Sequence, residues 1–279
     1  LPKKLNPTFR FAFPAPIWKT ITDATANHLF LELRDSERHH VGFAGIDLTT
    51  GTLLWTDAAK TTSSPAVDFG LADTWWVTLH SASRYYLLLQ SFTDTHNPEK
   101  KSYYAIDIAS RQMVWQSEQF QVVELGDDTL VGYMANDEAR RLTRITLPEG
   151  MKTENLAEQK KLEGKNKSVV QPFFYTENQP YFSTVAKFVE SLQLGCPVSG
   201  CEYLEHSNYI VIAYYVPDKT AEKDGLANYL LILDRHGKVL LHECLEKSVP
   251  QPGLGTFFVA QHQLIVVQHQ RQLVSYALS

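Results

Sequence analysis

The stretch GIDLTTGTLLWT, Gly45 to Thr56, reads as an alternating strand, a tight polar turn and a second strand that ends on a tryptophan. One such hairpin says little; its recurrence decides the fold. AIDIASRQMVWQ, residues 105–116, repeats it, with Asp107 standing where Asp47 stands and Trp115 where Trp55 stands. LILDRHGKVLLH, residues 231–242, is a third copy with a turn one residue shorter and Leu241 in place of the tryptophan. RITLPEGMKTE, residues 144–154, is a fourth and poorer copy. The chemistry of the unit is architectural. An aspartate at the turn accepts bonds from turn amides, and a glycine such as Gly51 takes the positive φ that ends the turn. A large indole can wedge between packed sheets.

Around these copies lie further short runs rich in β-branched and aromatic residues and bounded by turn residues. They include HLFLELRD from His28, HHVGFAGID from His39, TWWVTLHS from Thr74, RYYLLLQSF from Arg84, QVVELG from Gln121, TLVGYM from Thr129 and NYIVIAYYV from Asn208. The tail, TFFVAQ, LIVVQ and LVSYAL, reads as a three-strand meander. Many short strands with a recurring hairpin predict an all-β chain folded as one β-propeller domain over residues 1–279. LVSYAL matches the first half of the hairpin and lacks a second. APIWKT near the N-terminus matches the missing half, with Trp18 in the tryptophan's place. This predicts a ring closed by the N-terminal strand, which leaves no open edge. Repeat spacing favours five blades, with six as the alternative. Asp47 to Asp107 spans 60 residues, but Thr146 to Asp234 spans 88. Within that gap MKTENLAEQKKLEGKNKS, residues 151–168, reads as a loop or short exposed helix. STVAKFVESLQLG, residues 183–195, places Val185, Phe188, Val189 and Leu192 on one helical face. It predicts an inserted amphipathic helix with Ser183 or Thr184 as N-cap and Gly195 as stop.

Composition removes several function classes. The 279 residues are 44% hydrophobic and 20% charged, with a net charge of −5. That balance gives no bulk attraction to nucleic acid or to an anionic membrane. No apolar run is long enough for a transmembrane helix. Three cysteines, Cys196, Cys201 and Cys244, are too few for a disulfide scaffold, so a cytoplasmic monomer is expected, with a removed signal peptide left open.

IDLTTGTLLW and AIDIASRQMVW resemble the blade repeat of the quinoprotein-type (PQQ-like) β-propellers, in which an acidic turn and a terminal tryptophan recur. The resemblance covers two blades well and a third in part. The whole chain is also similar to uncharacterised propeller proteins of the Bacteroidetes. The resemblance implies the scaffold. Quinoprotein dehydrogenases hold quinone and calcium with adjacent cysteines and carboxylates, and this chain has no adjacent cysteines, so no cofactor is expected.

Catalytic motifs are absent from the sequence: no G-x-S-x-G, no phosphate-binding glycine loop and no H-E-x-x-H. GCPVSGCEYLEH carries Cys196, Cys201 and His206 at a spacing loose for zinc and with no evident fourth ligand, so no metal is expected; a local disulfide across the turn stays open. That loop, following the helix, is the candidate lid. His39 and His40 precede a strand, so their side chains are expected on opposite faces, which argues against joint ligation of one ion, and His262 and His269 fall in hairpin turns. The aromatic pairs Trp75–Trp76, Tyr85–Tyr86, Tyr103–Tyr104 and Tyr214–Tyr215 read chiefly as packing, with a share available to bind sugars, peptides or flat ligands. Among acids, Asp35, Glu37, Glu202 and Glu205 lie outside the repeat turn, and no pair can be promoted to acid and base on spacing alone. Lys152, Lys160, Lys161, Lys165 and Lys167 alternate with Glu154, Glu158 and Glu163 as a solvated surface. The reading that follows is a non-enzymatic binding or scaffold protein for an unknown protein or small ligand. The alternative is a glycoside- or lactone-type hydrolase using carboxylates near a central channel.

Overall fold

A computed structural model describes residues 5–56, 69–71, 73–92, 94, 97, 100–153, 168–218 and 225–278. Nearly all of its regular structure is antiparallel strand, arranged in five sheets. The described residues gather into two compact units, 13–168 and 1–12 with 169–279.

After β1 (Pro7–Ala12), residues 13–168 build three four-stranded meanders. The first is β2 (Ile17–Thr22), β3 (His28–Asp35), β4 (His40–Asp47) and β5 (Thr52–Thr56). The second is β6 (Val77–Ala82), β7 (Tyr86–Phe92), β8 (Lys101–Asp107) and β9 (Met113–Ser117). The third is β10 (Phe120–Leu125), β11 (Thr129–Met134), β12 (Thr143–Thr146) and β13 (Met151–Thr153). Alternation along β7 explains why RYYLLLQSF is almost continuously apolar. Leu87 and Leu89 pack into the core shared with the first sheet, while Tyr86 and Leu88 pack into the core shared with the third. A strand buried on both faces has no polar side to show.

The opening hairpin is β4–turn–β5, and its residues do what their chemistry suggests. Asp47 Oδ1 accepts from the amides of Thr49 and Thr50 at 2.7 and 3.0 Å, and Gly51, at φ 66°, donates to the Asp47 carbonyl at 2.9 Å. Asp107 Oδ1 likewise accepts from Ser110 N, although Arg111 holds the positive φ there. Asp234 accepts from His236 and Lys238, beside Gly237 at φ 79°. In the fourth copy Gly150 closes the turn onto the Thr146 carbonyl. Trp55 lies in the core between the first two sheets, directly across from Gly45, where a Cβ would come within 2.8 Å of the indole. Trp115 packs at the core between the second and third sheets, and Leu241 at the one between the two sheets of the other unit.

That other unit opens with β14 (Val169–Val170), β15 (Phe173–Thr176) and α1 (Pro180–Ser191). β16 (Gly200–His206), β17 (Tyr209–Asp218), β18 (Gly225–Asp234) and β19 (Val239–Val249) follow, then β20 (Phe257–Ala260), β21 (Gln263–Gln268) and β22 (Gln272–Ala277). One sheet runs β15-β16-β17-β18-β19, the other β1-β22-β21-β20-β14.

Four expectations need correction. The N-terminal strand that pairs with the tail is β1, PTFRFA, against β22, and not APIWKT, which supplies β2. Trp18 is therefore the extra residue of a bulge in β2 and is 69% exposed rather than wedged. The match of APIWKT to a hairpin's second half reflected only strand chemistry, which any edge strand shares. The helix starts a turn early, because Pro180 suits the first helical turn; Gln179 is the N-cap, four residues before Ser183. The chain turns out of it at Gln193, φ 59°, before Gly195 is reached. Trp75, Trp76 and Tyr85 sit in the turns before β6 and β7, not on strands. Of residues 151–168, the first three form β13, and 154–167, including Lys160, Lys161, Lys165 and Lys167, lie outside the described residues.

Side chains satisfy the open edge of β6. Glu32, fully buried on β3, accepts from Leu79 N at 2.9 Å and from Thr78 Oγ1 at 2.6 Å. Lys19 donates to the Leu79 carbonyl at 2.6 Å, and Arg34 donates to the Trp75 and Val77 carbonyls while pairing with Glu32 at 2.7 Å. Glu202, at the matching place on β16, accepts from the amides of Gly255 and Thr256 just before β20. Unpaired backbone groups that are buried must find such partners.

Candidate binding surface on the helix-covered sheet

The helix and the loop after it converge on one face of the sheet β15–β19. Pairing places Cys201, Tyr214 and Tyr229 side by side across β16, β17 and β18 on this face, and Glu202, Ala213 and Leu230 on the opposite one. The Glu202 face packs on β20–β22. The Cys201 face packs on Phe182, Val185, Ala186 and Val189 of α1. The helix thus does for this face what a neighbouring sheet does for the other. The buried stripe is rotated from the expected one: Phe188 and Leu192 are only half-buried, whereas Phe182 is buried. The earlier helix start brings Phe182 into register, three residues before Val185.

Aromatic rings line the same face. Across its middle, Tyr214, Tyr229 and His242 stack, with centroids 5.2 to 6.2 Å apart. The Tyr214 hydroxyl donates to the Leu194 carbonyl at 3.1 Å and lies 2.8 Å from His242 Nε2, which ties the segment after the helix to the sheet. Burial pushes the Tyr214 phenol up and the His242 imidazole down, so both stay neutral at pH 7. At the edge, on β15, Phe173 and Tyr175 stack at 6.5 Å and 15°, and Tyr175 stacks on Tyr181 of the first helical turn at 5.4 Å and 30°. Tyr203 adds a tilted ring at 6.5 Å, and its hydroxyl donates to Glu205 Oε1. Burial, then the Glu205 carboxylate, raises the Tyr203 phenol well above its usual range. Phe173 and Tyr181 are 68% and 67% exposed.

No disulfide bridges the cysteine loop. All three cysteines are free thiols. Cys196 is exposed and donates to Glu190 Oε1 at 2.9 Å, which holds its thiol above the usual range. Cys201 is buried in the helix core, and burial pushes it up to about 12. Among the described residues no group of three or more His, Cys, Asp or Glu is placed to hold a metal ion. The loop is fastened rather than free, since Val198 N donates to the Tyr215 carbonyl.

The acids have structural employment. Asp35 caps the turn amides of Glu37 and Arg38. Glu205 faces Tyr203. The three buried carboxylates among the described residues are Asp23, Glu32 and Glu202. Asp23 accepts from Asn27 N and lies 2.9 Å from His28 Nδ1; the other two satisfy neighbouring strand edges. A carboxylate held by fixed amides is poorly placed to shuttle a proton to a substrate. A concavity of about 850 Å³ within residues 13–168 is lined by Lys101, Glu118, Gln121, Tyr133, Asp137 and Arg140. Its charges are partly spent as well, Asp137 on Arg141 and Arg140 over the Tyr133 ring. Sequence reasoning missed this groove, because its residues come from three loops and strands with no shared motif. It also missed Phe173 and Tyr175, hidden in a short strand within the thin stretch before the helix. His262 and His269 do fall in hairpin turns, at the ends of β20 and β21.

The fold and this surface define an all-β protein of the propeller-like class, made of antiparallel meanders. The family described as "Domain of unknown function (DUF4905)" matches residues 22–115. No curated protein matches. Among solved structures, a member of the DUF4221 family from Bacteroides vulgatus aligns over 98% of this chain and 97% of its own, at 8% identity and a TM-score of 0.31. The β-propeller domain of the trilobed protease from Pyrococcus furiosus aligns over 94% and 81%, at 10% identity and 0.31. The acylaminoacyl peptidase of Pyrococcus horikoshii aligns over 91% of this chain but 36% of its own, at 11% identity and 0.28. No helix among the described residues is long and apolar enough to cross a membrane.

Proposed function

We propose that this chain is a non-enzymatic binding protein on a PQQ-like propeller scaffold, and that it holds its ligand on the aromatic stack of Phe173, Tyr175 and Tyr181. The observation that carries this reading is the exposure of two stacked rings at a sheet edge. Rings exposed by two-thirds lose much of their value as packing but remain rigid, large contact surfaces for a partner. The helix supports the same reading, since it fixes Tyr181 against β15. The buried carboxylates, each spent on backbone or on a neighbouring cation, favour recognition over hydrolysis.

The test is a thermal-shift screen of the full chain against a mixed panel of sugars, peptides and flat aromatic compounds. It is repeated with Phe173→Ala and Tyr181→Ala. At least one compound should stabilise the parent and fail to stabilise both variants. Turnover of a glycoside or lactone, abolished by a single carboxylate change, would overturn the proposal in favour of the hydrolase alternative.

A further inference from the structure

We infer that the group held at Phe173 is a cation, the arginine side chain of an extended peptide; this rests on the binding reading above. Position along the sheet carries it. Tyr203 pairs with Phe173 and Cys201 with Tyr175, so Glu205, two residues past Tyr203, lies one step beyond Phe173 on the same face. Such diagonal neighbours sit about 7–8 Å apart, within reach of one ligand group. Tyr175 stacks on the other side of Phe173. No second ring meets Phe173 among the described residues, and the residue is 68% exposed, so the side turned towards Glu205 is open to solvent. Glu205 is itself exposed, and the Tyr203 hydroxyl takes only its Oε1. Among the described residues no cation pairs with Glu205, and none lies over Phe173, Tyr175 or Tyr181. The surrounding segment is acidic: residues 169–206 carry four glutamates, Glu177, Glu190, Glu202 and Glu205, against one lysine, Lys187. An electron-rich ring beside an unpaired carboxylate complements a cation and repels an anion.

Among cations, arginine fits the pair best. A guanidinium is flat, so it can lie on a ring and still turn an N–H edge to a carboxylate on the adjacent strand. A lysine ammonium is a compact, strongly hydrated point charge and gains less from the ring. A quaternary ammonium has no N–H for Glu205 and is held best by a cage of several rings. What continues from Phe173 favours a peptide over free arginine. β15 ends its sheet, so no strand pairs with its outer edge. The row of rings runs on from Phe173 to Tyr175 and to Tyr181, which is 67% exposed. The hydroxyls of Tyr175 and Tyr181 are donors without an acceptor among the described residues, and an extended peptide presents backbone carbonyls to such donors.

Fluorescence anisotropy of the full chain with a labelled peptide of alternating arginine and glycine tests this. Peptides with lysine, citrulline or glutamate in place of arginine are the contrasting probes; citrulline keeps the flat shape and loses the charge. The arginine peptide should bind most tightly, the lysine peptide less, and the citrulline and glutamate peptides least. Phe173→Ala, and Phe173→Leu, which keeps an apolar side chain without a π face, should each weaken arginine binding about fivefold. Glu205→Gln should weaken it about threefold and narrow the gap between arginine and citrulline. Both positions are exposed, so each variant should keep the parent's circular dichroism and melting temperature. Arginine and citrulline peptides that bind alike, and are both weakened by Phe173→Ala, would overturn the arginine assignment and leave the aromatic surface standing. Arginine binding unchanged in Phe173→Ala and Glu205→Gln would be general attraction to an acidic protein, and would overturn the assignment and count against the surface too. Binding of none of the four peptides would overturn the assignment alone, since the thermal-shift screen with Phe173→Ala and Tyr181→Ala judges the surface separately.

Discussion

Trp55 and Gly45 form a pair whose energetics follow from geometry, and a double-mutant cycle can test them. The indole of Trp55 is 1% exposed and packs edge-on against Phe69 at 5.4 Å and tilted against Phe30 at 6.1 Å. Its Nε1 has no hydrogen-bond partner, so Trp55→Ala forfeits packing alone. Truncating a buried aromatic of this size costs about 3–5 kcal/mol. Gly45 faces it across the strand pair, and a methyl group there would sit 2.8 Å from the ring and 3.0 Å from Nε1. A buried indole held on other sides by Phe30 and Phe69 has little room to give. Gly45→Ala alone should therefore cost about 1–3 kcal/mol as overpacking. With the indole removed, the same methyl meets a cavity, and the added cost should vanish or turn into a small gain. The cycle should show a coupling of about 1–3 kcal/mol, the double variant being more stable than the sum of the singles predicts. Urea unfolding followed by far-ultraviolet circular dichroism, with a check that the m-value stays constant, measures it. Strict additivity, or a Trp55→Ala cost below about 1 kcal/mol, would refute the wedge.

Trp115 holds the corresponding place in the next sheet but is only half-buried, lying over Gly150 and edge-on to Phe120, so Trp115→Ala should cost less, about 1–2 kcal/mol by the same assay. The hydrogen bond to buried Asp23 raises the His28 imidazole above its usual 6.5. Its stabilising share is then full below that value and lost as pH rises through the higher folded value, so the stability gap between parent and His28→Ala should shrink from pH 6 towards pH 8 in paired urea titrations. With Glu190 holding the Cys196 thiol protonated, Glu190→Gln should speed its reaction with a disulfide reagent at pH 8, while Cys201 stays unreactive until unfolding. Equal rates in parent and variant would remove the Glu190 contact from the account.

Legibility tracked how local the physics was. The hairpin turns were readable because aspartate and glycine act within five residues, and all three aspartates cap as their positions suggest. The apolar run of β7 was readable as a strand, while its burial on both faces came only with the packing of its neighbours. The helix was readable from its period, but its start was not, because Pro180 acts as a first-turn residue only once the chain has left β15. The N-terminal pairing was misread for a similar reason. PTFRFA and APIWKT are equally strand-like, and only the long-range register with β22 selects the first. Phe173 and Tyr175 carried no motif, since a stack of rings is made by a strand and a helix meeting.

Strand chemistry, turn chemistry and the repeat are properties of short windows of chain, and they are enough for the all-β class and for a repeat count that favours five over six. What required the folded chain is every pairing between distant windows. It chose which strand completes the last sheet, turned Glu202 from a candidate acid into a partner for the amides before β20, and set Glu32 against the edge of β6. It buried Cys201 while leaving Cys196 in solvent. It also set Tyr181 of the helix against Tyr175 of the strand, the juxtaposition on which the proposed binding rests. Such choices depend on which unpaired amide or apolar face happens to lie opposite, and no residue records that in its own neighbourhood.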